Sequence, residues 1–137
     1  MNKTEAIEPQ EGWVRARASC YPEHVFKQIE VGVQDDIDVV NSDRNLEDPA
    51  RFMLQKNSSG NFFTVYRTVN RVMREVKFHL TKDGLHITTD AGEKIDATLT
   101  LNNYGQCRLK VKGEELEQWQ VRRLALEGLF FLGGWEL

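Results

Sequence analysis

Val76-Lys77-Phe78-His79-Leu80-Thr81-Lys82-Asp83-Gly84-Leu85-His86-Ile87-Thr88 is the stretch that decides the fold. Two alternating apolar/polar runs meet at Asp83-Gly84, and Asp-Gly between such runs is a strong hairpin signal. A two-residue loop there pairs Lys82 with Leu85, Thr81 with His86, Leu80 with Ile87 and His79 with Thr88. Side chains alternate between the faces of a strand. One face therefore carries Val76, Phe78, Leu80, Leu85 and Ile87, and the other Lys77, His79, Thr81, His86, Thr88 and Asp90. The same register sets Lys77 opposite Asp90 as a charge pair.

The pattern continues in both directions. Downstream, Asp90-Ala91-Gly92-Glu93 turns the chain, and Asn102-Asn103-Tyr104-Gly105 joins runs over 95–101 and 107–112. Ile95, Ala97, Leu99, Leu101, Cys107, Leu109 and Val111 share the apolar face, while Asp96, Thr98, Thr100, Arg108, Lys110 and Lys112 point away. Upstream, residues 62–69 are rich in aromatic and β-branched types. The cluster Asn57-Ser58-Ser59-Gly60-Asn61 separates them from a strand signal beginning near Arg51. Turns at such regular intervals indicate an antiparallel meander of six or seven strands, with room for strong curvature, rather than βαβ units. One apolar face calls for helices over it, with water on the other.

Helical periodicity flanks the meander. Pro22 suits a first helical turn. Val25, Ile29, Val33, Ile37 and Val40 then recur at helical spacing, so one helix is expected over 22–41, weakened at Gly32. Before it, Val14, Ala16 and Ala18 alternate with Arg15, Arg17 and Ser19, which reads as a half-exposed strand. After the sheet, a helix is expected over 114–131, with Glu114, Glu115 and Glu117 at its positive end. Leu116, Trp119, Leu126 and Phe130 form one apolar stripe of that helix, and Val121, Leu124, Ala125 and Leu132 a second; Trp119 is read as core. The fold class is thus α+β: a single domain over 12–137 behind a mobile tail of residues 1–11. The order strand, helix, strands, long C-terminal helix resembles a helix-grip arrangement, which implies a cavity between a curved sheet and the last helix.

The chain has 137 residues and a net charge of −3, unevenly spread. Residues 1–50 and 113–137 are acidic, while residues 51–112 carry 11 Lys+Arg against 5 Asp+Glu. The acidic total argues against a dedicated duplex-DNA binder. Residues 1–11 lack the apolar core of a secretory signal and no run is long enough to span a bilayer, so the cytoplasm is the expected location. Cys20 and Cys107 are read as two buried free thiols; the rival is one long-range disulfide, which needs an oxidising compartment.

Chemistry-bearing patterns are few. There is no phosphate-binding loop, nucleophile elbow or HExxH, and no cofactor is expected. His79 and His86 fall diagonally on the polar sheet face, and two histidines do not make a metal site. With Lys77, Arg108 and Lys110 they form a candidate polar ligand surface. Asp35, Asp36 and Asp38 read as a solvated helix face. The most apolar segment ends the chain, and Phe130, Phe131 and Trp135 are its candidate partner surface. The function expected is a protein-interaction module that self-associates through the C-terminal helix and tail. The alternative is a small-molecule binder or enzyme with a pocket beside Trp119.

Overall fold

The computed structural model describes residues 12–42 and 50–131. The expectations for residues 1–11, for most of the polar loop after the first long helix, and for Leu132 and Trp135 lie outside the described residues. Seven antiparallel strands follow one another in the sheet in chain order: β1 (Met53–Lys56), β2 (Phe62–Val69), β3 (Val72–Leu80), β4 (Gly84–Thr88), β5 (Lys94–Leu101), β6 (Cys107–Val111) and β7 (Glu114–Leu116). Among the described residues three helices accompany them, α1 (Trp13–Ser19), α2 (Pro22–Val40) and α3 (Gln118–Phe131). The α+β meander with a C-terminal helix packed on it is therefore the observed fold.

The apolar face is the one the alternation selects. Phe63, Val65, Val76, Phe78, Leu85, Ile87, Ala97 and Leu109 are buried on it, against Phe26, Ile29, Val33 and Ile37 of α2 and Val121, Ala125, Leu126 and Leu129 of α3. Phe63 stacks on Phe78 with ring centroids 4.5 Å apart, and Phe26 meets Phe63 at 5.3 Å. Each such side chain contributes about 1.5–3 kcal/mol through burial. Helix α2 runs unbroken through Gly32.

The central hairpin is slipped by two residues relative to the two-residue loop. Leu80 pairs with Leu85, His79 with His86, Phe78 with Ile87 and Lys77 with Thr88. Gly84 belongs to β4 rather than to the turn. It pairs with Thr98, and a Cβ there would overlap the carbonyl oxygen of Ala97. Leu99 N–H also donates to the Asp83 carbonyl at 2.8 Å. The contact with β5 thus draws Asp83-Gly84 out of a tight turn. An even slip keeps every side chain on its expected face, but it separates Lys77 from Asp90. Asp90 instead accepts from Arg74 at 2.8 and 2.9 Å and from Glu75 N–H at 3.1 Å.

Three further corrections concern the flanks. Residues 13–19 form a helix, not a strand: alanine and arginine favour helix, and no residue of α1 is buried, so its alternation never recorded a core face. Glu114 and Glu115 belong to β7, with Lys110 opposite Glu115 and Val111 opposite Glu114. Lys112 and Gly113 between them have φ of 54° and 83°, the geometry of a tight hairpin turn, so the last helix starts at Gln118. Finally, Cys20 and Cys107 are not free thiols but are joined in a disulfide.

Candidate functional site

Helices α2 and α3 lie side by side in the same sense. Gln118 Nε2 donates to Gln28 Oε1 at 2.8 Å, and one turn further along α3 Arg122 Nε donates to Asp36 Oδ2 at 2.7 Å. Their inner faces pack on the sheet. Their outer faces diverge into an open groove of about 620 Å³. Val39 and Val40 form the α2 wall; Trp119, Leu126, Phe130 and Phe131 supply the α3 wall and floor.

The apolar surface of this groove is accessible. Val39 is 73% exposed, Phe131 57% and Trp119 50%. Trp119 is therefore not core, contrary to its expected stripe. Starting the helix at Gln118 places Val121, Ala125 and Leu129 on the inner face, and Leu124 turns outward. The floor is firm: Phe130 is buried and meets Phe52 edge-on at 4.8 Å. The rim carries mixed charge. Asp36 is paired with Arg122, and Arg123 Nε donates to Glu127 at 3.1 Å. Of the three aspartates read as a solvated face, Asp36 is thus a tie between helices and Asp38 accepts from Gln34 at 3.0 Å.

Of the expected partner residues, Phe130 and Phe131 both line the groove. Trp135 lies outside the described residues. The wall formed by Val39 and Val40 was missed, because the pairing of two helices separated by the whole sheet leaves no local pattern. The groove lies between the two helices on the side away from the sheet, whereas the helix-grip order implied a cavity on the sheet side of the last helix.

The polar sheet face holds Lys77, His79, His86, Arg108 and Lys110, but does not gather them. Lys77 pairs with Thr88, Lys110 with Thr98 and Arg108 with Thr100. Strand spacing and rise put Lys77 and Arg108 more than about 20 Å apart. The histidines are directly opposite each other rather than diagonal. His86 Nδ1 lies 2.6 Å from Asp96 Oδ1, and His79 meets the Phe62 ring edge-on at 5.8 Å. Among the described residues no group of three or more His, Cys, Asp or Glu is placed to hold a metal ion. Glu75, Asp96 and Glu115 are interleaved with the cations of this face, so charge there is nearly balanced.

No described helix is long and apolar enough to cross a membrane. Neither a protein-family model nor a curated protein nor a solved structure matches this chain.

Proposed function

We propose that this protein is an interaction module that pairs with a second copy of itself across the α2–α3 groove. The observation that carries the reading is the open apolar groove in which Val39, Trp119 and Phe131 are each at least half exposed over a buried Phe130 floor. Large exposed aromatics in a preformed depression are the usual anchors of protein association. The rim supports a copy of the same chain over a strongly charged partner: it offers two acidic residues, Asp36 and Glu127, and two basic ones, Arg122 and Arg123. A two-fold axis sets such a patch against itself with opposite charges in reach. The setting proposed is the cytoplasm, where a disulfide such as Cys20–Cys107 is of the transient, redox-responsive kind.

Val39→Glu and Trp119→Glu test the reading. Each places an unpaired charge in the apolar contact, and each residue is exposed in the single chain, so folding is spared. The expected outcome is loss of the dimer in sedimentation velocity with an unchanged far-UV spectrum. Unaltered association of both variants would refute the groove as the seam.

A second reading rests on size. A groove of about 620 Å³ falls in the range that accommodates small molecules. It would make the protein a binder of a flat apolar ligand stacked on Trp119. Titration of apolar aromatic compounds into the monomer, followed by Trp119 fluorescence in a Trp13→Phe, Trp135→Phe background, distinguishes it: saturable quenching supports this reading, and none removes it.

A further inference from the structure

We propose that the Cys20–Cys107 disulfide is a reversible tether, and that a dithiol reductant releases α1 while leaving the rest of the domain folded. Hydrogen bonds that bracket α1 are local to it. Ala16 N–H donates to the Gly12 carbonyl at 3.0 Å, Ser19 Oγ to the Arg15 carbonyl at 2.9 Å, and Cys20 N–H to the Arg17 carbonyl at 3.3 Å. No residue of α1 is buried, and Trp13 and Val14 are both exposed. The junction between α1 and α2 faces the sheet across an open groove of about 390 Å³. Arg17, Cys20 and Pro22 stand on one side of it, and Leu99, Thr100 and Leu101 on the other. The bond from Cys20 to Cys107 at the start of β6 spans that gap. A seven-residue helix with no buried face has little stability of its own. Its position therefore depends on the bond.

The core does not share that dependence. Ile29, Val33, Phe63, Phe78 and Leu129 are buried among α2, α3 and the sheet, with nothing contributed by α1. Cys20 is only partly buried and lines the open groove, which is the approach proposed for a small dithiol or an exposed dithiol loop of a reductase. One thiolate of the reductant attacks Cys20 Sγ. The S–S bond breaks, and Cys107 leaves as a thiolate and takes up a proton. The second thiol of the reductant then resolves the mixed disulfide, freeing Cys20 as a thiol and leaving the reductant oxidised. Two electrons pass to the protein, and an oxidant of the disulfide class reverses the exchange. Cytosolic disulfides are typically of this transient kind.

The test is limited trypsin digestion of the full chain, oxidised and after reduction by a thioredoxin-class dithiol, read by mass spectrometry, with near-UV circular dichroism as a report on the core. Cleavage after Arg15 and Arg17 should accelerate at least about tenfold on reduction, the signature of local opening, while the near-UV signal persists. Cys107→Ser should be cut at the fast rate without reductant, and reoxidation of the wild type should restore the slow rate. Equal cleavage rates in the two states would overturn the tether. Loss of the near-UV signal on reduction would overturn it equally, because the bond would then be a staple for the whole domain.

Discussion

The Arg122 guanidinium lies across Gly32: a Cβ at that position would come within 2.5 Å of Arg122 Nη1. The glycine that weakens α2 as a helix is the seat that lets Arg122 reach Asp36 at 2.7 Å. This tie joins the two walls of the groove.

Gly32→Ala should displace the guanidinium without unfolding the domain. The gain in helix propensity is about 1 kcal/mol, and a partly buried ion pair at the surface is worth about as much, so the midpoint of urea unfolding should barely move. The pair itself should report the change. In a double-mutant cycle with Asp36→Asn and Arg122→Gln, the coupling should fall from about 1 kcal/mol to near zero in the Gly32→Ala background.

Gly84 behaves in the opposite way, because what it would strike is backbone. Gly84→Ala drives a methyl group into the Ala97 carbonyl oxygen. β4 and β5 cannot separate without breaking their register, so a loss of about 3 kcal/mol is expected in denaturant unfolding. At Gly60 an added methyl group would meet nothing within 4 Å, but φ is 79°, so the same change should cost only about 1 kcal/mol.

Asn41 caps α2 and tethers it to the sheet. Its Nδ2 donates to the Phe52 carbonyl at 2.9 Å, and its Oδ1 accepts from Phe52 N–H at 3.0 Å, both buried. Asn41→Ala removes both bonds and should destabilise the fold by about 2 kcal/mol in chemical denaturation. Asn41→Asp sets a carboxylate oxygen against the Phe52 carbonyl in a buried site and should cost at least as much.

Glu30 ties α2 to β1 through Lys56, with Nζ 3.2 Å from Oε2. The hydrogen bond that Lys56 Nζ donates to Glu30, and then the Glu30 charge, raise the Lys56 pKa above the ordinary lysine value. A raised cation stabilises the fold fully below the unfolded lysine value of about 10.4 and loses that contribution as pH rises through the folded value. Wild-type stability should therefore fall above about pH 10.4 more steeply than that of Glu30→Gln. Parallel curves for the two proteins would exclude the tie.

The sheet was legible in the sequence because its period is two. Phe78, Leu80, Leu85 and Ile87 keep their face under a slip of two residues, so an incorrect turn still leads to the correct core. The register itself was not legible, since the contact that sets it, Gly84 against Ala97, is between strands. β7 was hidden behind Lys112-Gly113, a tight turn without the usual Asn or Asp, and its glutamates imitate a helix start. α1 was misread because its alternation of small and charged residues imitates a half-exposed strand, whereas alanine and arginine favour helix and no face of it is buried. The disulfide joins residues 87 apart, a proximity that only the folded chain creates. Of the groove, Phe130 and Phe131 could be named from their apolarity. Val39 could not: it falls outside the stripe of Val25, Ile29, Val33, Ile37 and Val40 and is 73% exposed, but nothing local in the sequence sets it beside α3.

The central claim is that the α2–α3 groove is a self-association seam, and equilibrium sedimentation of the full chain over a wide concentration range tests it most directly. Wild type should fit a monomer–dimer equilibrium, and Trp119→Glu should sediment as a monomer of 15.8 kDa at every concentration. A wild-type chain that stays monomeric throughout, or a Trp119→Glu variant that dimerises as wild type does, would contradict the account.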